Sequence, residues 1–481
     1  MKKKEQIHLI QELERIDSAM QQAESDFFRQ VQQVHTSNLK NGINLLHYLA
    51  LRSMDIRDLQ DQLHAFGLSS LASSESHIRG QLLSILQRLG KQVKIPSGVF
   101  TYKSSKEAVR QKAAGLLGIR EDAAIPYIMV TLDTFHASDY AAVKGLLQSG
   151  MNVARINCAH DDEATWFRMI QQVRRASRIT GLGCRIYMDL AGPKIRTVLA
   201  GKEKLKVSDG GFIDLCDGES GALQNEHTVG CSIPSIGEQL QPGETVLFDD
   251  GLIEARVEQV EKEIARLRIM RISSKKPFIK PEKGINFPDS NLLFPALTEF
   301  DRKCLPFISK HADIVGFSFV RTTRDLDVLR EAMGKNRHVS VVIKIETPEA
   351  VKNLPSLLLN GMIDEFTGVM IARGDLAVEI GFERMSEIQE EILWICEAAH
   401  VPVIWATQVL ESLNKSGVAT RSEVTDAAHA AQADCVMVNK GTYTIRVIET
   451  LKDILQRSGG HHVKKRYTFR PLSIATRFLS K

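Results

Sequence analysis

The stretch Val341-Val342-Ile343-Lys344-Ile345-Glu346-Thr347-Pro348 carries both halves of a β/α junction. Residues 341–345 form an apolar, largely β-branched run, the composition of a strand buried on both faces. Thr347 then places a capping residue before a proline at the first helical position. Strand side chains alternate between faces, so Lys344 and Glu346 point the same way. Two opposite charges on one face of a buried strand are costly unless something there uses them. Structural salt bridges capping a sheet would meet that cost. A polar site for a metal ion and an anionic substrate would use it. Ile371-Ala372-Arg373-Gly374-Asp375 repeats the anomaly at the end of a second apolar run.

Outward from this junction the same rhythm recurs. Short β-rich runs at 128–132, 153–157, 185–190, 313–319, 339–346, 369–374, 403–408 and 435–439 alternate with helical stretches. Thr322-x-x-Asp325 and Thr420-x-x-Glu423 resemble capping boxes. Eight β/α units in succession predict an α/β chain with a closed parallel (β/α)8 TIM barrel, rather than an open doubly wound sheet. No glycine-rich fingerprint follows the first strand, which argues against a dinucleotide-binding fold. One unit is interrupted after Gly192-Pro193-Lys194-Ile195-Arg196 by a segment rich in strand and turn signals. Its Asp250-Gly251 pair between apolar runs is a hairpin signal. An inserted β-barrel at this place would lie over the mouth as a lid that excludes water.

Residues 1 to about 120 read as helical. Leu9, Leu13, Ile16, Met20, Ala23 and Phe27 form an amphipathic stripe, followed by helices near 55–66 and 75–90 that suggest a hairpin. These helices are expected to pack on the main domain or to self-associate; binding a partner or nucleic acid is the lesser expectation. The expected domains are a helical domain over 1–122, the barrel over 123–197 and 284–457, the β lid over 198–283, and a basic tail over 458–481. The last 21 residues of that tail carry six Lys/Arg and no acid, fitting a flexible or strand-pairing terminus or an anionic contact.

Composition sets bounds on partners. At 481 residues the chain exceeds a single core. A net charge of +4 is too small to argue for nucleic acid. Seven scattered cysteines without a C-x-x-C pair fit a reduced, cytoplasmic protein. No secretory signal and no membrane-spanning run is legible, so no membrane partner is expected.

Strand C-terminal ends supply the active site of such barrels. Here those ends carry Arg155, Asn157, Asp189, Ser318, Lys344, Glu346, Arg373-Gly374-Asp375, Thr407, Gln408 and Asn439. Glu346 and Asp375 are hard oxygen donors suited to magnesium, and Lys344 and Arg155 supply charge for a phosphoryl group or an enolate. Thr407 offers a hydroxyl for proton relay. Phosphoryl transfer and enolate chemistry on a keto acid both fit this equipment.

Seven motifs in order resemble the pyruvate kinase family. They are Gly150-Met-Asn-Val-Ala-Arg155-Ile-Asn157, Asp189-x-x-Gly192-Pro193-x-Ile195-Arg196-Thr197, Asp249-Asp250-Gly251-Leu252-Ile253, Lys283-Gly284-Ile-Asn286, Lys344-Ile-Glu346, Ala372-Arg373-Gly374-Asp375-Leu376 and Ala406-Thr407-Gln408-Val-Leu410-Glu411-Ser412. The resemblance implies phosphoryl transfer from phosphoenolpyruvate to ADP, giving pyruvate and ATP, with Mg2+ or Mn2+ as cofactor. It implies Arg155 and Lys344 on the transferring group, and Glu346 and Asp375 on the cation. Backbone amides across Arg373, Gly374 and Asp375 would receive the substrate carboxylate, and Thr407 would relay a proton. Asn157, His160, Arg196, Asp250 and Lys283 would face the nucleotide. A homo-oligomer is expected.

The chain also departs from the family's pattern. Thr131-Leu132-Asp133-Thr134 stands for the usual Thr-Ile-Gly-Pro, changing nucleotide contacts, and Asn157-Cys158-Ala159-His160 for Asn-Phe-Ser-His. Asp189-Leu190-Ala191-Gly192-Pro193-Lys194 replaces Asp-Thr-Lys-Gly-Pro-Glu. Two ligands of the monovalent-cation site are thereby lost and an acid becomes a base, so the Lys194 ammonium is expected to substitute for potassium, which would not be required. Val438-Asn439-Lys440-Gly441-Thr442 replaces Leu-Ser-Gly-Glu-Thr near the relay and the nucleotide. The family's C-terminal regulatory domain, with its control by sugar phosphates, is not expected. Two alternatives stand beside the kinase: a lyase or aldolase acting on a pyruvate enolate with a divalent metal, and a catalytically silent regulatory relative.

Overall fold

The structure, a computed structural model, describes residues 3–120, 125–273, 277–334 and 338–459; nearly all of the basic tail lies outside them. Eight parallel strands close a barrel: β1 (Tyr127–Thr131), β2 (Val153–Asn157), β3 (Arg185–Asp189), β4 (Ile314–Phe317), β5 (Ser340–Ile345), β6 (Thr367–Ala372), β7 (Val403–Ala406) and β8 (Cys435–Val438). The order runs β1-β8-β7-β6-β5-β4-β3-β2, and the ring closes where Tyr127 pairs with Cys435. Alternation explains why these strands are apolar throughout. Tyr127, Met129, Val153, Tyr187, Val342 and Met370 fill the lumen, while Ile128, Val130, Ala154, Ile343 and Trp405 face the helices outside. Lys344 continues the lumen row of Val342, as the period of two requires.

The lid is a sheet with its own core, built around Leu215, Val246, Phe248 and Leu267. Seven strands run in the order Ile285–Asn286, Thr245–Phe248, Ile253–Glu261, Ile264–Ile272, Phe212–Asp217, Thr228–Cys231, Thr197–Val198. The two end strands meet at an Arg196–Gly284 bridge, where the Thr197 N–H donates to the Lys283 carbonyl at 2.8 Å. The ring therefore closes on itself at its neck. The expected hairpin is present: Thr245–Phe248 and Ile253–Glu261 pair antiparallel, with Asp249, Asp250 and Gly251 all at positive φ in the turn.

Six α-helices precede the barrel: Lys3–Asp26, Phe28–Gln33, Leu39–Arg52, Arg57–Ala65, Ile78–Arg88 and Tyr102–Leu117. Leu9, Leu13, Ile16 and Met20 are fully buried, as their spacing predicts. Phe27 departs from that stripe. It is 45% exposed at the junction between the first helix, which ends at Asp26, and the next, which begins at Phe28. The helices at 57–65 and 78–88 each pack against the first helix.

Buried polar groups dock this domain on the barrel. Asn38 Nδ2 donates to the carbonyls of Met362 (3.0 Å) and Asp364 (2.9 Å), and Asn44 Nδ2 donates to Ala398 (2.8 Å). These are orphan carbonyls just at or past the ends of helices Leu354–Gly361 and Met385–Ala398. The last helix of the domain puts Leu116 and Leu117 against the lumen residues. Leu116 lies so close to β6 that a Cβ on Gly368 would sit 2.5 Å from its Cδ2. No helix among the described residues is long and apolar enough to cross a membrane.

Candidate active site

Strand ends bring the predicted charges together in one buried network. Arg155, in the middle of β2, donates through Nε to Asp189 Oδ2 at 3.0 Å and through Nη1 to Thr131 Oγ1 at 3.0 Å. Lys344 Nζ, on β5, lies 2.7 Å from Ser318 Oγ, 3.2 Å from Glu346 Oε1 and 3.4 Å from Asp189 Oδ2. Asp189 thus bridges both cations. Burial works to raise its carboxyl, but Lys344 and Arg155 outweigh burial and hold it below the usual range. Burial likewise works against the Lys344 ammonium, and Asp189 with Glu346 reverse the sign and raise it. Glu346 behaves oppositely. Burial raises its carboxyl, Lys344 opposes, and the nearby Asp375 adds to the rise. Glu346 also accepts the Phe319 N–H at 2.6 Å, which fixes its rotamer.

The second anomaly turns from strand into helix. β6 ends at Ala372 and Arg373–Ile380 is helical, which aims the first N–H groups of the helix at the mouth. The Gly374 N–H donates to Thr407 Oγ1 at 2.8 Å. The Arg373 guanidinium turns away from the lumen: it donates to the carbonyls of Ala406 (2.9 Å) and Thr407 (2.6 Å), pairs with Asp426 and lies 4.5 Å over the Trp405 ring. It ties down the end of β7, where Thr407, Gln408 and Leu410 all have positive φ. A β-branched residue in that region is strained, and strain of this kind gathers at functional sites.

Lys194 Nζ lies 2.6 Å from Asp375 Oδ1, a partner that sequence reasoning did not foresee across 181 positions. Around the lid's neck, Lys283 pairs with Asp249 at 2.8 Å, and Arg196 Nη1 donates to the Glu282 carbonyl at 3.0 Å. Asp250, beside Asp249 in the turn, is exposed. On the β2 side Asn157 Oδ1 accepts the Ala159 N–H at 3.1 Å, and His160 is exposed. Two of the family departures meet each other: Lys440 Nζ lies 3.4 Å from Asp133 Oδ1, across the β1–β8 seam. Each residue stands where the family pattern has glycine, and period and spacing carried no sign of the pairing.

The donor set suits a divalent cation. Glu346 and Asp375 are hard carboxylates close enough that Asp375 adds to the rise of the Glu346 carboxyl, a repulsion that a cation between them would relieve. Among the described residues no cluster of three or more His, Cys, Asp or Glu forms a closed cage. Magnesium and manganese take one or two carboxylates and complete their shell with substrate oxygens and water.

Comparison with known proteins agrees with this geometry. The family model described as "Pyruvate kinase, barrel domain" matches residues 127–447. Pyruvate kinase of Geobacillus stearothermophilus is 32% identical over 322 residues, covering 65% of this chain and 53% of the relative. Pyruvate kinase 1 of Trypanosoma brucei brucei is 33% identical over 322 residues, covering 65% of this chain and 63% of the relative. The chain thus spans between half and two thirds of these relatives' lengths. The crystal structure of a pyruvate kinase from Cryptosporidium parvum superposes with a TM-score of 0.64 at 26% identity, covering 72% of each chain. With a buried Arg155–Asp189–Lys344–Glu346 network at the strand ends and a family match across the whole barrel, the chain belongs to the pyruvate kinase family.

Proposed function

We propose that the chain transfers the phosphoryl group of phosphoenolpyruvate to ADP, giving pyruvate and ATP, without a requirement for potassium. The observation that carries this reading is the pair of cations, Arg155 and Lys344, held at the barrel mouth by Asp189 and Glu346. Phosphoryl transfer depends on positioning and charge neutralisation, and these two side chains supply both. Glu346 and Asp375 would hold Mg2+ or Mn2+, which would supply Lewis-acid polarisation of the substrate oxygens. Amides at the start of the helix Arg373–Ile380 receive the substrate carboxylate. The phosphorus–oxygen bond to the enol breaks as a terminal oxygen of ADP attacks, and its electron pair passes to the enolate oxygen. Thr407 Oγ1 then relays a proton to the enolate carbon, completing the methyl group. Asn157, His160, Arg196, Asp250 and Lys283 face the nucleotide, and Lys194 supplies the charge that potassium would bring.

Incubation with phosphoenolpyruvate, ADP and magnesium tests the reading directly; formation of both pyruvate and ATP supports it. Exchange of pyruvate methyl protons without ATP points instead to a lyase or aldolase, a reading favoured by the Asp133–Lys440 pair at the changed strand ends. Ligand binding without turnover points to a silent relative. Activity in a sodium-free buffer should be the same with and without potassium, and a strong potassium dependence refutes the role of Lys194. Replacing Lys344 by Met should abolish turnover with the circular dichroism of the fold intact. All seven cysteines are unpaired, which supports a reducing cytoplasmic compartment. Assembly as a homo-oligomer belongs to the same proposal and is read by light scattering.

A further inference from the structure

The helix Arg373–Ile380 reaches both strands on which the lid stands. Its Asp375 takes Lys194 Nζ at 2.6 Å, on the segment that leaves the barrel after β3. One turn later, Glu379 Oε1 takes Asn286 Nδ2 at 2.7 Å, on the segment that returns. Residues four apart lie on one helix face, so a single face grips the outgoing and the returning chain. Those two segments pair with each other directly above: Ile285 N–H donates to the Ile195 carbonyl at 2.9 Å, and Thr197 N–H to the Lys283 carbonyl at 2.8 Å. The neck is tight, since a Cβ on Gly284 would meet Lys194 Cε at 3.2 Å.

The two grips differ in chemistry. Asp375 is held by an ammonium, and an ammonium and a divalent cation at one carboxylate repel. Occupation of Asp375 by the cation therefore loosens the outgoing strand. Glu379 is held by a neutral amide, which carries no charge for the cation to repel. We propose that Glu379 and Asn286 are positioning residues that keep the neck of the lid seated on the helix Arg373–Ile380 after Lys194 gives up Asp375. The proposal rests on the reading of Asp375 as a cation ligand. It gives a task to Asn286, the last residue of the Lys283-Gly284-Ile285-Asn286 motif, which no substrate or metal role had absorbed.

Hydrogen–deuterium exchange of the neck amides, 195–198 and 283–287, tests this with Mn2+ alone and no substrate. In the unaltered protein the neck should stay protected when Mn2+ is added. In Asn286→Ala, measured at about pH 8 where the Glu379 carboxyl is ionised, a hydrogen bond to a charged group is gone, and exchange at the neck should rise about tenfold or more, only with Mn2+ present. Glu379→Gln keeps a carbonyl acceptor for Asn286 and should hold most of the protection, which separates positioning from charge. Equal loosening of Asn286→Ala with and without Mn2+, or no loosening at all, overturns the proposal. If the unaltered protein binds no Mn2+ by electron paramagnetic resonance, the reading of Asp375 fails and the proposal with it. If Mn2+ binds and the neck behaves as described while ATP is not formed, the latch stands and only the kinase reading fails.

Discussion

Replacing Glu379 by Gln should stabilise the protein above neutral pH, by an amount that shrinks through mild acid and vanishes below about pH 4.5. Burial pushes the Glu379 carboxyl up from 4.5 to about 7; Asp375 adds to the rise, and the Asn286 amide and Lys194 oppose it. The folded state therefore binds more protons than the unfolded chain between those two values. Stability contributed by the neutral acid is present below 4.5 and is lost as pH rises toward 7, the opposite of an ion-paired carboxylate. A shift of that size corresponds to about 3 kcal/mol at about 1.36 kcal/mol per unit. Glu379 is partly exposed as a residue, so solvent screening makes this an upper bound and about 1–2 kcal/mol the expected gain. Gln is nearly isosteric and keeps an acceptor for Asn286, which isolates the charge. The assay is urea unfolding in chelator at several pH values from 5 to 8.5, followed by tryptophan fluorescence. Trp166, Trp394 and Trp405 all lie in barrel elements, so the signal reports the barrel. The variant's advantage should be small at about pH 5, grow as pH rises toward 7 and level off above it. A difference that is flat with pH, or that shrinks, refutes the reasoning.

Three further outcomes follow from the packing and the seams. Gly368→Ala should cost about 1–3 kcal/mol, because Leu116 stands 2.5 Å from the new Cβ, and a second change of Leu116 to Ala should recover part of the loss in the same urea assay. Asn44→Ala removes the amide that donates to the carbonyls of both Glu75 and Ala398 and should cost about 1–3 kcal/mol, with proteolysis of the helical domain preceding barrel unfolding. Asp133→Gly together with Lys440→Gly should change thermal stability by less than about 1 kcal/mol, since both partners are well exposed. The same double change should alter KM for the nucleotide at least severalfold while leaving KM for phosphoenolpyruvate in place, and equal effects on both would argue against a role at the acceptor side.

Much of the fold was legible because a buried parallel strand has a local signature. The runs at 153–157, 185–190 and 435–439 fall within a residue of β2, β3 and β8, and the cap before Pro348 marks the start of a helix. Lys344 and Glu346 share a face because the strand period is two, and they meet Asp189 in the lumen. The buried helix Leu39–Arg52 has no clean apolar stripe, since Asn38, Asn41, Asn44 and His47 interrupt it; Asn38 and Asn44 contact the barrel, Asn41 donates to Asn38, and His47 pairs with Glu24. Phe27 misled for the converse reason: spacing continued where the helix did not.

The sequence by itself determined the barrel, the inserted lid and the charged strand ends, because each depends on local periodicity or on motifs read in order. Which of the polar groups become partners is set by the folded arrangement alone. Lys194 with Asp375, Asn286 with Glu379 and Asp133 with Lys440 join residues 181, 93 and 307 positions apart. No period connects such positions. Barrel closure and the lid's neck bring them within reach; charge attraction then selects the two Lys–Asp pairs, and a hydrogen bond from a neutral amide selects the third.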